Sequence, residues 1–177
     1  MSRLFIALPI PDEIAAQVAP LQFGLAGAKF SPRENLHITL RFIGKASESL
    51  AGDLARQLAQ DAQNSFDLSL AGADFFGSEK PHSLHLKIAQ NSNLFELNEK
   101  CEAVCRNLGL EPEVRGFAPH LTLAYLKGAD LAEVERYKKQ HAQFKSPIWR
   151  ADCFRLYSSK LGNGPSEYEI LAEFSLF

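Results

Sequence analysis

The sequence predicts an α+β fold: one domain built from two related lobes. Three observations carry that expectation. Apolar periodicity switches irregularly between the alternation of strands and the wider spacing of helices. No Ser-, Gly- or Pro-rich linker and no low-complexity tract splits the 177 residues into independent units. Finally, a His-apolar-Thr-Leu pattern at His37–Leu40 returns at His120–Leu123. Each copy is followed by a turn and a helix-like stretch, the mark of an internal duplication.

In chain order, Leu4, Ile6 and Leu8 alternate with Phe5, giving a strand over about 3 to 8 with Phe5 on the face away from the core. Pro11 sits at a first-turn position and opens a helix expected over about 11 to 25. A strand at about 36 to 43 ends at Gly44, and Ser47 can cap a helix through Leu50, Leu54 and Leu58. Strands follow near 67 to 76 and 83 to 89, then a helix from about 93 to 108 that Gly109 stops. The second half supplies a strand near 120 to 126, a helix from about 130 to 141, and strands near 148 to 158 and 167 to 175. "GNGPS" at 162 to 166 reads as a turn between the last two.

Composition narrows the function classes. Apolar content of 46% with 23% charged residues is that of a folded soluble domain. A net charge of −2 excludes a whole-molecule basic field of the kind that coats duplex nucleic acid, while allowing a local basic cleft. Three cysteines do not form a secreted disulfide framework. Cys101 and Cys105 lie one helical turn apart, in register with Leu94, Leu97, Val104 and Leu108, which predicts buried thiols held too far apart to bond. The apolar run from Leu4 to Ile10 is short, broken by Pro9 and followed by Asp12 and Glu13, so neither a signal peptide nor a membrane span is expected. A reducing, cytoplasmic setting follows.

Thr39 and Thr122 are the only threonines in the chain, and each stands two residues after one of its five histidines. Shuffling this composition reproduces that placement in roughly one chain in a thousand. Strict alternation points His37, Thr39 and Arg41 to one face and Ile38, Leu40 and Phe42 to the other. The second copy repeats this with His120 and Thr122 opposite Leu121 and Leu123. Two imidazoles converging across a cleft can divide acid and base duties near neutral pH. Two uncharged hydroxyls can hold non-bridging phosphate oxygens as negative charge develops. Such a scheme requires no metal and no cofactor.

Further candidates carry less. Phe5 faces the cleft, where a base could stack on it, and Phe30 and Tyr157 are weaker candidates for the same duty. His82 and His85 have ligand-like spacing, but residues three apart in a strand face opposite sides and no third metal ligand is evident. His85, alternating with Leu84 and Leu86, is expected to line the cleft, where it joins Arg41, Phe5 and Tyr125 as a candidate substrate-binding residue. His141, beside Lys138 and Lys139, is expected in solvent.

His37-Ile38-Thr39-Leu40 and Pro119-His120-Leu121-Thr122-Leu123 resemble the paired signature of the two-histidine phosphoesterase superfamily. Within it, "RLFIALPIPDEI", "PRENLHITLRFIG" and "PHLTLA" resemble the RNA 2′,3′-cyclic phosphodiesterases, also called 2′-5′ RNA ligase-like proteins, and the likeness runs nearly the length of the chain. It implies a bilobal pseudo-two-fold fold with two antiparallel sheets lining a V-shaped cleft and helices outside. The reaction it implies is hydrolysis of an RNA terminal 2′,3′-cyclic phosphate to a 2′-phosphomonoester, with ligation of 2′-5′ ends as its reverse. By carry-over, His37 protonates the departing 3′ oxygen, His120 activates water, and Thr39 and Thr122 bind the phosphate; the pseudo-symmetry of the two motifs leaves the exchanged acid and base assignment open. Substrates are then RNA 3′ ends or nucleotides bearing the cyclic phosphate, handled by a monomer. Small nucleotides such as an ADP-ribose cyclic phosphate or a 2′-5′ oligoadenylate, and a non-catalytic RNA-end-binding module, are the competing readings. Family members commonly carry an arginine where this chain has Tyr125. Arg41 is the expected replacement cation, unless Tyr125 stacks on a base instead.

Overall fold

A computed structural model of the chain describes residues 2–60, 63–160 and 166–177. Its strands are β1 (Ser2–Pro9), β2 (Ala28–Phe30), β3 (His37–Ala46), β4 (Phe66–Leu68), β5 (Leu70–Phe76), β6 (Ser83–Ile88), β7 (His120–Leu126), β8 (Trp149–Ala151), β9 (Cys153–Lys160) and β10 (Glu167–Ser175). Its helices are α1 (Asp12–Val18), α2 (Glu48–Leu58), α3 (Ser92–Asn107) and α4 (Leu131–Gln140). Eight strands form the large antiparallel sheet in the order β10-β9-β1-β3-β7-β6-β5, with β2 on β7, and β4 pairs with β8 apart from it.

The large sheet is two lobes sharing a seam. One holds β10, β9, β1 and β3; the other holds β2, β7, β6 and β5. The two motif strands, β3 and β7, touch in register only at Ile38 and Leu121. This single contact places the two His-x-Thr segments side by side while letting each lobe keep its own twist.

Helices cover one face of the sheet. The main core takes Ile14 and Val18 from α1, Leu54 and Leu58 from α2, Leu94, Leu97, Cys101 and Cys105 from α3, and Val134 and Tyr137 from α4, against Ile6, Leu8, Ile38, Leu84 and Leu121 of the sheet. Phe5, Ala7 and Tyr157 form a separate small cluster on the other face, with Tyr168 packed against it. Three helices start at caps of the residue types that favour them: Ser47, Asn91 and Asp130 accept the backbone N–H of Leu50, Leu94 and Glu133. Gly109, at φ +77°, ends α3 as expected.

Cys101 and Cys105 are buried and unbonded, as their helical spacing predicts. Burial pushes both thiols up, Cys105 to about 11, so neither is a nucleophile. Among the described residues no helix is long and apolar enough to cross a membrane.

Several boundaries differ from expectation. The first helix ends at Val18, because Pro20 allows only a 3₁₀ turn over Ala19–Leu21 before Gly24. The strands expected at 67 to 76 and 148 to 158 are each broken in two, and their first pieces, β4 and β8, pair with each other. β3 runs past Gly44 to Ala46. β2, three residues long, was too short to leave a periodic signal. The expected turn at 162 to 166 lies, except for Ser166, outside the described residues.

Candidate active site

The two motif strands repeat in structure more faithfully than in sequence. Both begin with the same burial pattern over six residues, half-buried His and Thr alternating with buried aliphatics, then two buried residues and an exposed aromatic. The double burial marks a β-bulge. In β3, Ala7 pairs with Thr39 and Ile6 with Arg41, leaving Leu40 as the extra residue. In β7, His85 pairs with Thr122 and Leu84 with Ala124, leaving Leu123 extra at the equivalent place. Each bulged carbonyl is bound by a side-chain amide from outside its strand: Asn98 Nδ2 reaches Leu40 O at 2.8 Å, and Gln22 Nε2 reaches Leu123 O at 3.3 Å. An extra residue reverses which face the following side chains take.

That reversal corrects the expectation for Arg41. Instead of joining His37 and Thr39 on the cleft, it turns to the helix side, 9% exposed. There its Nε lies 2.5 Å from Glu102 of α3, and its guanidinium donates to the carbonyls of Phe42 and Glu111. It fastens the 111–113 segment to the motif strand and carries no charge to the cleft. Phe42 takes the cleft face in its place, as Tyr125 does after the second bulge, and both are exposed.

His37 and His120 are held alike. Nδ1 of His37 donates to Asn35 O and Nδ1 of His120 to Ala118 O, both at 2.7 Å, each carbonyl two residues before its ring. The approach differs: Pro32 and a 3₁₀ turn over Arg33–Asn35 deliver the first, and the extended conformation that Pro119 enforces delivers the second. With Nδ1 committed as a donor, Nε2 is the nitrogen left over in both rings, able to accept a proton when the ring is neutral and to give one when it is protonated. Burial, and secondarily the charge of His120, hold the pKa of His37 below its ordinary value. The rings are thus close enough to sense one another.

The surroundings of the two rings differ. Around His37 stand Phe5 at 4.9 Å and Tyr168, edge-on, at 5.4 Å between ring centroids. Phe5 is 3% exposed and stacks on Tyr157 at 5.0 Å. It therefore underpins His37 and is closed to a base, contrary to the expectation for both Phe5 and Tyr157. Around His120 stand Phe76, edge-on at 4.9 Å, and His85 at 5.1 Å. His85 is 5% exposed on the cleft side of β6, as expected, and burial brings its pKa down to about 4.

A cleft of about 120 Å³ opens between the lobes, lined by Lys29, Phe30, His37, Thr122, Tyr125 and Tyr168 among others. Lys29 pairs in register with Tyr125, so the two share a face. Lys87 pairs with His120 in the same way. Neither lysine carries a motif; only the pairing of β2 and β6 with β7 identifies them. Tyr168 and Phe42 were likewise missed, the first because β10 reads as an ordinary edge strand. His82 lies outside β6 and its ring packs at 6.4 Å from Phe76, apart from His85. His141 is not free in solvent; it packs on Tyr137 at 4.4 Å.

Comparison with known proteins agrees with this arrangement. Residues 10–163 match the family model for the 2′-5′ RNA ligase superfamily. The chain is 30% identical to the RNA 2′,3′-cyclic phosphodiesterase of Methanocaldococcus jannaschii, covering 97% of this chain and 99% of that one. It is 32% identical to the Bacillus subtilis protein of the same name, over 97% and 95%. Crystal structures of Thermus thermophilus TT0787 and of E. coli LigT complexed with 3′-AMP superimpose with TM-scores of 0.81 and 0.80, at 26% and 25% identity, over 98% and 99% of this chain and 97% and 98% of theirs. Matched by the family model over most of its length and by relatives 30% and 32% identical over 97% of it, the chain belongs to the 2′-5′ RNA ligase superfamily.

Proposed function

We propose that the protein is an RNA 2′,3′-cyclic phosphodiesterase, a single two-lobed domain acting as a cytoplasmic monomer. The observation that carries the mechanism is the matched Nδ1–carbonyl latch, which leaves two Nε2 atoms for one phosphorus. Water attacks phosphorus as His120 Nε2 takes its proton; the P–O3′ bond breaks as His37 Nε2–H protonates the departing oxygen. A 2′-phosphomonoester remains. Run backwards with an RNA 2′-hydroxyl as the other partner, the same exchange joins 2′-5′ ends. Thr39 and Thr122 hold the non-bridging oxygens, and no step calls for a metal.

Binding an anionic phosphate raises the pKa of His37 from its depressed resting value, so the acid gains its proton as substrate arrives. Tyr125 and Lys29 together take the place of the family arginine: the phenol offers a stacking face and the ammonium a charge. Phe30, Tyr125 and Tyr168 line the cleft and offer aromatic faces to a single base, which favours a small cyclic nucleotide as the second reading.

The test is hydrolysis of a cyclic-phosphate-ended oligonucleotide in excess chelator, the product assigned by phosphorus NMR. A 2′-phosphate product is expected. Binding without turnover would reduce the protein to an RNA-end reader. A kcat/KM higher for a cyclic mononucleotide than for the oligonucleotide would favour the second reading.

A further inference from the structure

The two motif threonines occupy equivalent places beside their bulges but face different partners across the sheet. The residue across from Thr39 is Ala7, which offers no polar atom beyond its backbone. The residue across from Thr122 is His85. We propose that His85 is a substrate-binding residue, its Nε2–H donating to a phosphate oxygen beside Thr122 and His120. The proposal rests on the phosphoesterase reading above and adds to it a third, uncharged donor found in one lobe only.

The ring's surroundings fix which nitrogen is the donor. His85 Nδ1 is sealed from solvent and has no hydrogen-bond partner, whereas Nε2 is not sealed in that way. A proton on Nδ1 would be a buried donor without an acceptor, which folded proteins rarely tolerate. A doubly protonated ring would have the same orphan and an unpaired buried charge besides. The neutral ring with its proton on Nε2 is the form left. Burial supports it by holding the pKa down to about 4, against a small opposing pull from Asp74, the residue paired with His85 on β5. His120, Lys87 and Lys138 push the same way as burial.

Geometry supplies the rest. Phe76 stacks on His85 at 4.3 Å, fixing the plane of the ring, and meets His120 edge-on, so the two imidazoles are held as a unit. A pre-oriented neutral donor suits an oxygen that gains charge as water attacks.

Two substitutions separate donor from ring. His85→Phe keeps the aromatic stack on Phe76 and removes the donor; His85→Gln removes the stack and keeps an amide N–H near the position of Nε2. Both are compared with wild type for kcat/KM on the cyclic-phosphate oligonucleotide and for the inhibition constant of inorganic phosphate, after thermal melting shows both folded. The expected result is a loss of about 10- to 100-fold in kcat/KM, with weaker phosphate inhibition, for His85→Phe and recovery to within about threefold for His85→Gln. Unchanged phosphate inhibition in His85→Phe, or an equal loss in both variants, overturns the proposal. A wild type that binds phosphate but turns over no cyclic substrate overturns the phosphodiesterase reading instead, and dissociation constants of inorganic phosphate from calorimetry on the same variants then decide the role of His85.

Discussion

The His37 lobe and the His120 lobe solve one problem twice with different means. Both present His and Thr from a bulged strand, latch Nδ1 to the carbonyl two residues back and secure the bulged carbonyl with a borrowed amide. Around those shared parts the lobes diverge. His37 sits in an aromatic cage of Phe5 and Tyr168, which lowers its pKa by burial. His120 stands beside a second histidine and opposite a lysine, in polar company. What is duplicated is the anchoring of the two rings, each with Nε2 left over; what is not duplicated is the electrostatic setting, and an acid and a base must differ in that setting to act together.

Removing either ring should produce the largest change. His37→Ala and His120→Ala are each expected to lower kcat by about 10²- to 10⁴-fold, with the double variant little worse than either, because the rings act as a unit. The comparison sharpens in the pH profile of kcat/KM, which reports the free protein. The limb belonging to His37 should lie below the ordinary value of 6.5. Activity lost on raising the pH through that limb assigns His37 as acid, the expected outcome; activity lost on lowering it would exchange the two roles.

The position after each bulge breaks the symmetry next. It is Arg41 in one lobe and Ala124 in the other. Arg41→Ala strands Glu102 beside a vacated guanidinium site and is expected to cost about 3–5 kcal/mol in urea denaturation. Replacing Arg41 and Glu102 together with Met should restore much of it, and the KM of the folded protein should hardly move. A large KM change at preserved stability would return Arg41 to the cleft.

Arg41 also marks where reading from sequence stops. His37, Thr39, His120 and Thr122 were legible because their residue types are scarce and their spacing repeats. The helices were legible because caps and apolar stripes are local. A bulge is invisible in a run such as His-Ile-Thr-Leu-Arg-Phe, since one extra residue leaves every residue a good strand former and changes only the partner it faces. Alternation therefore placed Arg41 and Phe42 on the wrong faces. The same reason hid Lys29 and Lys87, whose place in the site is set by pairing across strands that lie far apart in sequence.

His85 sets a smaller effect, on stability. The unfolded imidazole takes up a proton as pH falls through 6.5, while the buried ring resists protonation until about pH 4. The unfolded state therefore binds more protons in that window, and the native state loses stability as pH falls across it, on the order of 3 kcal/mol in all. Above pH 6.5 the contribution vanishes. His85→Phe should flatten this slope relative to wild type in denaturation series run from pH 7.5 to 4; an unaltered slope would mean that the ring is not held neutral by burial.

The smallest expected effect tests whether charge has moved between lobes. With Arg41 turned to the core, Lys29 is the basic side chain that lines the cleft between the lobes. It is exposed and flexible, so it contributes as a screened point charge to an anion without fixing a geometry. Lys29→Ala should raise KM for an oligonucleotide several-fold, leave kcat nearly unchanged, and reduce the slope of log KM against log salt by about 0.7, the value for one phosphate contact on a single strand. Lys29→Arg should restore both. A fall in kcat at constant KM would place Lys29 on the scissile phosphate, making it a closer functional replacement for an arginine than its place on a separate strand implies. Equal effects on a cyclic mononucleotide and on the oligonucleotide would mean that its partner is the terminal cyclic phosphate and not the chain upstream.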